Sequence, residues 1–178
     1  MNTVSDAVAV VRRGLAVFPI PVGGRVPPPG WQQLATVNEA ALPELLADGR
    51  NVGIACRASN VVGLDLDVHH ADGPARNGIE TLRTQLDIRG LEDWPDTFTV
   101  LTPSGGLHLY FRVAADCTIG SSSGGRSPLG PGIDVRGPGR RSGGYLVGPG
   151  SMVRGLPYTI VHDAPVAPLP VWIFNRLA

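Results

Sequence analysis

The sequence predicts an α+β fold with a mostly antiparallel sheet, because short strand-like runs outnumber the helical segments. Apolar runs at 51–55 and 61–67 are separated by a Ser-Asn turn, which is typical of a β-hairpin. A Pro-Ser-Gly-Gly turn joins the runs at 98–102 and 107–113 in the same way. Connections this short argue against a doubly wound parallel sheet, whose strands need long crossovers.

The first fifty residues are predicted to form a helix, a strand and a helical turn. Residues 5–15 carry apolar side chains at helical spacing, and Ser5 is the expected N-cap. A short buried strand follows at 16–20, before a segment rich in proline and glycine that excludes regular structure. Asn38 is expected to cap a helical turn, and a short helix is expected over 44–48.

The second half of the chain begins with a helix and continues mainly with strands. Residues 78–86 place Ile79, Leu82 and Leu86 at the spacing of a core-facing helix. The remaining elements are expected as strands at 133–136, 145–147 and 158–161 and a last helix from about residue 170.

Length and composition limit the class of protein. The 178 residues suit one domain over 1–178, and no apolar run reaches the ~20 residues of a membrane span, so we expect a cytoplasmic protein without a membrane partner. All 15 basic residues are arginine, which excludes a Walker-A phosphate loop and Schiff-base chemistry in this chain. The net charge of zero argues against unspecific coating of nucleic acid, but it allows an acidic metal centre beside a basic phosphate-binding wall.

The run VVGLDLDV carries the first candidate site residues, Asp65 and Asp67. Residues i and i+2 of a strand lie on one face, so these carboxylates repel each other unless a cation or solvent neutralises them. Mg²⁺ binds one or two carboxylates together with substrate phosphates, which favours a metal site. Two solvated acids at a strand end are the alternative.

A third aspartate, Asp134, lies in the apolar run IDVR. Three aspartates on strands could hold two metal ions that activate a 3′-hydroxyl and stabilise a leaving pyrophosphate. A surface strand with ordinary polar alternation is the alternative.

The run TPSGGLHLYFR, residues 102–112, is the third candidate feature. Its Gly105 and Gly106 allow backbone N–H groups to approach an anion closely, and Ser104 adds a hydroxyl donor. Strand alternation places His108 on the same face as Tyr110, so the histidine either contacts a phosphate or has a structural role.

The order of these motifs resembles the primase–polymerase (prim-pol) domain of the archaeo-eukaryotic primase superfamily. The resemblance rests on DLD, SGGLH and IDVRG followed by GGYLVGPGS, together with NVGIACRASNVV before them and APLPVWIFNRL at the end. It implies an RRM-like catalytic sheet packed against a smaller αβ unit. It also implies a DNA primase or DNA polymerase that uses Mg²⁺ or Mn²⁺, nucleoside triphosphates and a DNA template or primer, in some relatives with a helicase.

The same resemblance implies roles for individual residues. Asp65, Asp67 and Asp134 match the metal-binding carboxylates, and Ser104 with His108 matches the motif that contacts the incoming nucleotide's phosphates. Arg136 faces the same side as Asp134 and is a candidate triphosphate ligand. Arg25 stands where relatives usually carry lysine in a G-K-x-P turn.

Two rival functions remain open at the sequence level. One is a metal-dependent nuclease or rolling-circle initiator, although the adjacent His69 and His70 lack the one-residue spacing that such enzymes use for metal. The other is a nucleic-acid-binding module without catalytic activity. The Gly/Ser-rich segment 118–132 is expected to be a disordered insertion or a flexible DNA contact through Arg126, and the Arg140–Arg141 pair is either a template contact or a solvated turn.

Overall fold

A computed structural model describes residues 3–69, 76–124, 126–139 and 143–178. The helices are α1 (Thr3–Val11), α2 (Trp31–Leu34), α3 (Leu42–Leu45), α4 (Cys56–Ser59), α5 (Gly78–Asp87) and α6 (Val171–Leu177). The strands are β1 (Val17–Ile20), β2 (Asn51–Ala55), β3 (Val61–Leu66), β4 (Val68–His69), β5 (Arg76–Asn77), β6 (Thr99–Leu101), β7 (Leu107–Arg112), β8 (Ile133–Arg136), β9 (Tyr145–Val147), β10 (Met152–Val153), β11 (Leu156–Pro157), β12 (Thr159–His162) and β13 (Ala167–Pro168).

Two sheets organise the chain. The larger sheet has the order β12-β6-β7-β3-β8, all antiparallel, and β13 pairs in parallel with the end of β7. The smaller sheet has the antiparallel order β1-β2-β9. Helices on a largely antiparallel sheet confirm the predicted α+β class.

Strand alternation divides the interior into two apolar clusters, one on each face of the larger sheet. Leu64 and Leu109 point to the face that α5 and α6 cover, where they pack with Leu82 and Ile173. The opposite face packs against the smaller sheet and α1. Along β7 the side chains alternate in the same way: Leu109 and Phe111 belong to one cluster, whereas Tyr110 belongs to the other.

Close contact between the sheets requires glycine at one central position. A Cβ atom added at Gly63 on β3 would lie 2.3 Å from Leu146 Cδ1 on β9. Within the smaller sheet, Gly53 on β2 is also required to be glycine, because a Cβ atom there would lie 2.1 Å from the ring of Phe18 on the neighbouring strand β1. The smaller sheet therefore lies directly over the centre of the larger one.

The hairpin expected from the runs at 51–55 and 61–67 is wrong. The strand β2 pairs with β1 and β9, whereas β3 pairs with β7 and β8 in the other sheet. Residues Cys56–Ser59 form the helical turn α4, and Asn60 closes it in the left-handed region at φ 50°. This turn sends the chain from one sheet to the other instead of folding it back.

The first helix begins at Thr3, so the expected N-cap at Ser5 is also wrong. Other local signals agree with the structure: Asn38 Oδ1 accepts from Ala40 N–H at a helical turn, and α5 begins where its apolar spacing predicts. Asn77 caps α5 by accepting from the N–H groups of Ile79 and Glu80. Among the described residues, none of the helices has the length and apolar character needed to span a lipid bilayer.

The segment 118–132 differs from the disordered insertion that its composition predicts. Ile119 and Leu129 are buried in the core, and Ser122 forms a β-bridge with Val135 through two backbone hydrogen bonds of 3.0 and 2.9 Å. The segment therefore extends the edge of β8. Arg126 is exposed, and its contact with DNA stays a prediction.

We predict that Gly137→Ala lowers the free energy of unfolding by about 1–3 kcal/mol, because overpacked sites of this kind force the backbone to shift. The new Cβ would lie 2.1 Å from Ile119 O, which is fixed backbone. Urea unfolding of the variant tests this, with Ser123→Ala in the exposed part of the segment as the control. Equal unfolding midpoints for Gly137→Ala and the wild type would show that the segment does not pack on β8.

Candidate active site

The acidic pair of the larger sheet consists of Asp65 on β3 and Asp134 on the neighbouring strand β8. Asp65 on β3 has two direct cross-strand partners, His108 on β7 and Asp134 on β8. Directly opposed residues share a face, with Cβ atoms typically about 4.5–5.5 Å apart. The sheet register thus brings three of the candidate residues into one row, on the face that meets the smaller sheet.

His108 is buried at 3% exposure and lies between two acceptors. Its Nδ1 is 3.2 Å from Val147 O on β9, and its Nε2 is 3.4 Å from Asp65 Oδ1. Because a carbonyl oxygen only accepts, the proton is assigned to Nδ1; Nε2 forms an ion pair with the Asp65 carboxylate only when Nε2 is protonated as well. The Val147 contact makes the smaller sheet responsible for the orientation of this ring.

Positive charge surrounds both carboxylates. Arg136 Nη2 donates to Asp134 Oδ2 at 3.1 Å. Burial raises the pKa of Asp65, but His108 first, and then Arg136 and Arg25, lower that pKa below its ordinary value. The Asp65 carboxylate is therefore held in its ionised form, which is the form that binds a cation.

Asp67 follows directly after β3 and is fixed through its backbone. Its N–H donates to Gly132 O, and its carbonyl accepts from Gly78 N–H, both at 2.8 Å. A Cβ atom at Gly78 would lie 2.2 Å from Gly132 O, so the start of α5 and the turn before β8 meet closely here.

The carboxylates of this site suit a divalent cation whose coordination shell is completed by oxygen atoms of the substrate. Within the part of the chain that is described, no group of three or more His, Cys, Asp or Glu side chains lies close enough together to hold a metal ion. Asp65 and Asp134 nevertheless face each other as a pair of carboxylates, and Mg²⁺ commonly takes one or two carboxylates plus phosphate oxygens and water. The geometry fits such a site better than a complete three-aspartate cage.

A cleft of about 550 Å³ opens beside Asp65 and His108 of this row, between the two sheets. Asp65, His108 and Arg136 line it from the larger sheet, and Arg25 and Tyr145 line it from the side of the smaller sheet. Tyr158, which directly precedes β12, also lines it. Ser121 and Ser123, from the segment that borders β8, complete one wall. An acidic floor under two arginine side chains suits a ligand that carries phosphate groups and a metal cation.

Comparison with protein families decides the affiliation of the chain. The model of the family described as "Bifunctional DNA primase/polymerase, N-terminal" matches residues 7–172. The chain belongs to the Prim-Pol family. Membership implies a nucleotidyltransferase of the primase/polymerase type that acts on DNA and nucleotides, and enzymes of this family are generally metal-dependent. A search of curated proteins finds no match.

In this Prim-Pol domain the Ser-Gly-Gly turn lies beside the acidic strand. A Cβ atom at Gly106 would lie 2.4 Å from Leu66 O, and Gly105 adopts a left-handed φ of +84°. The backbone therefore favours glycine at both positions, whether or not a ligand binds here. The Gly105 N–H donates to Thr102 O at 3.0 Å, and Ser104 Oγ lies 3.0 Å from Thr102 Oγ1. A phosphate contact from this turn stays a prediction.

Tyr145 and Tyr158, which the sequence analysis does not single out, both line the cleft. Tyr158 packs its ring on His108 at 5.6 Å between centroids, and burial raises its pKa. The Tyr145 hydroxyl donates to Arg25 O at 3.1 Å. Their only sequence signal is a tyrosine at or just before the first residue of a short strand, which no motif marks.

Two sequence-level proposals fall on residues beyond those described. The Arg140–Arg141 pair lies entirely outside them, and so does His70. His69 ends the short strand β4.

We predict that Asp134 and Arg136 are energetically coupled. Arg136→Ala removes the positive charge that offsets the repulsion between the carboxylates of Asp65 and Asp134. The free energy of unfolding should therefore fall by about 1–2 kcal/mol in the presence of a chelator. Asp134→Asn should remove most of that loss in the double variant. Urea unfolding of the two single variants and the double variant measures the coupling, and strictly additive effects would contradict the pairing.

Proposed function

We propose that the chain is a template-dependent DNA primase or DNA polymerase that transfers a nucleotidyl group from a nucleoside triphosphate to a nucleic-acid 3′ end. The single observation that supports this most is the register of β3, which aligns Asp65 with Asp134 on one side and His108 on the other. Asp65 and His108 of this row line a cleft that Arg25 and Arg136 also line, and Asp134 lies directly beside Asp65 on β8. The family membership supports the reaction class, and the row supports the proposal that the reaction takes place beside Asp65.

Asp65, Asp67 and Asp134 are the proposed ligands for Mg²⁺ or Mn²⁺, two ions that accept carboxylate oxygens. A divalent cation held there supplies a lowered pKa for the attacking 3′-hydroxyl and charge neutralisation for the leaving pyrophosphate. Asp65 and Asp134 are direct cross-strand partners, and Asp67 is the residue that follows the last residue of β3. We assign Asp67 the more peripheral position of the three.

The main proposed role of His108 is to influence the Asp65 carboxylate. Its ring is fixed between Val147 O and the Asp65 carboxylate, so it keeps that carboxylate ionised and oriented. The buried ring lies beneath Tyr158, which limits its access to a ligand. A contact between His108 and the nucleotide's phosphates is therefore the second part of its proposed role.

Arg25 and Arg136 are proposed to bind the triphosphate. Their charges already act on Asp65, since both lower its pKa, so they lie within electrostatic reach of the reacting centre. Arginine offers a planar fork that matches phosphate oxygens. Ser104 and the amide of Gly106 are proposed to assist at the edge next to Asp67, and the amide of Gly105, which donates to Thr102 O, is proposed to hold this turn in place. Positioning and charge stabilisation then supply most of the catalysis.

The DNA template is proposed to lie along the opening of the cleft. Arg126, an exposed residue of the segment that also carries Ser121 and Ser123, is proposed as a template contact. A helicase, fused or separate, is proposed as a partner on the basis of the family alone. The catalytic unit is proposed to include both sheets over 1–178, because the cleft takes its lining from both.

We predict that the purified chain extends a primed template with deoxynucleoside triphosphates and Mg²⁺ or Mn²⁺, and that a chelator abolishes extension. Asp65→Ala/Asp67→Ala and, separately, Asp134→Asn should each lower the rate by about 100-fold or more, because they remove charge stabilisation at the reacting centre. A gel assay of primer length measures this. Asp87→Asn, an exposed aspartate on α5 on the far face of the sheet, is the matched control and should retain activity.

Each failure in that assay has a distinct meaning. Equal extension by the wild type and the Asp65→Ala/Asp67→Ala variant would contradict the site assignment. Metal-dependent cleavage of DNA without incorporation would favour a nuclease. Nucleotide binding without turnover under either metal would favour a module without catalytic activity.

A further inference from the structure

The segment that carries Arg25 connects β1 to α2 and is only weakly stabilised by contacts within the segment. Its internal turn has one short bond, from Gly24 N–H to Pro21 O at 2.9 Å, and Gly23 adopts a left-handed φ of +68°. Val22 and Val26 on either side are 65% and 74% exposed, so the segment buries little apolar surface. The position of Arg25 must therefore depend strongly on groups outside the segment.

Asn51, the first residue of β2, binds this segment from a buried position at 2% exposure. Its Nδ2 donates to Gly24 O and to Met152 O, both at 2.9 Å, and its Oδ1 accepts from Met152 N–H at 2.9 Å. These three hydrogen bonds engage both ends of the amide. They tie the residue before Arg25 to the strand β10.

Tyr145, the first residue of β9, binds the next carbonyl of the same segment. Its hydroxyl donates to Arg25 O at 3.1 Å. Its ring meets the rings of Phe18 and Trp31 edge-on, with centroid distances of 5.8 and 5.4 Å, so the aromatic contacts fix where the hydroxyl points. Two strands of the smaller sheet thus bind two successive carbonyls around Arg25.

We propose that Asn51 and Tyr145 are positioning residues that fix Arg25 over the acidic pair, so that its guanidinium can bind the triphosphate of an incoming nucleotide. The inference rests on the proposed function for the identity of the ligand. Both side chains act through backbone carbonyls, so their effect on nucleotide affinity depends on the presence of a charged side chain at 25. A direct contact with the nucleotide would not have this dependence.

Tyr145→Phe is the sharpest test, because it removes one hydroxyl and keeps the ring and its aromatic contacts. We expect the affinity for dTTP with Mg²⁺, and for inorganic tripolyphosphate, to fall about three- to tenfold, which corresponds to one hydrogen bond. KM for dTTP should rise by a similar factor while kcat changes little. The melting temperature should stay close to that of the wild type.

The Arg25→Ala background separates the possible roles of Tyr145. There Tyr145→Phe should cause no further loss of affinity for either ligand, whereas in Arg25→Lys part of the dependence should remain. Equal losses with and without Arg25 would show that the hydroxyl contacts the nucleotide directly, and would overturn the inference. A lower melting temperature with unchanged affinity would show a purely structural role and would also overturn it.

Asn51→Asp provides a second line, since it keeps the acceptor for Met152 N–H and loses both donors. If the Asn51→Asp protein folds, its loss of nucleotide affinity should depend on Arg25 in the same way. Asn51 is buried, so this variant can fail to fold, and the Tyr145→Phe result then decides whether the inference holds. Binding is measured without primer or template, so a chain that binds dTTP in this coupled way but extends no primer would refute the proposed function alone. Absence of dTTP and tripolyphosphate binding by the wild type would overturn the inference.

Discussion

Two like charges side by side on neighbouring strands are the constraint on which the rest of this structure depends. Asp65 and Asp134 are direct cross-strand partners on a face that meets another sheet. At an effective dielectric of 20, two such charges about 4 Å apart repel by about 4 kcal/mol. The fold offsets this with His108 on one side and Arg136 on the other. A site that balances repulsion with nearby cations is prepared for a ligand that brings both a cation and phosphates.

The smaller sheet belongs to this electrostatic arrangement as much as to the core. Its strand β9 supplies the carbonyl that orients His108 and the tyrosine that binds the backbone of Arg25. Glycine at 63 lets Leu146 approach the larger sheet closely enough for these contacts. The two sheets therefore build one cleft, and the aspartates on one sheet depend on positions set by the other.

The sequence predicted what short-range patterns determine and missed what distant pairing determines. The β6–β7 hairpin, the core face of α5 and the Asn38 cap follow from residues a few positions apart, and they are confirmed. The hairpin expected around Asn60 failed because both of its apolar runs find partners far away in the chain. Segment 118–132 was misjudged because composition does not show that Ile119 and Leu129 anchor it in the core.

The same distinction holds for the site. The sequence shows Asp65, Asp67 and Asp134 as acids within apolar strands. The alignment of Asp65 with Asp134 and His108, however, follows from the register of three strands. Asn51 and Tyr145 carried no signal, because they act on backbone carbonyls and not through a motif. Arg25 was expected only from the family resemblance.

The central claim is that Asp65 and Asp134 share a divalent cation in this cleft. Anomalous diffraction from a crystal of the chain with Mn²⁺ and a nucleoside triphosphate that cannot be hydrolysed tests it most directly. The account predicts a manganese peak within bonding distance of both carboxylates, with the phosphates beside Arg25 and Arg136. Manganese bound only elsewhere, with the Asp134–Arg136 pair intact and no phosphate in the cleft, would contradict it.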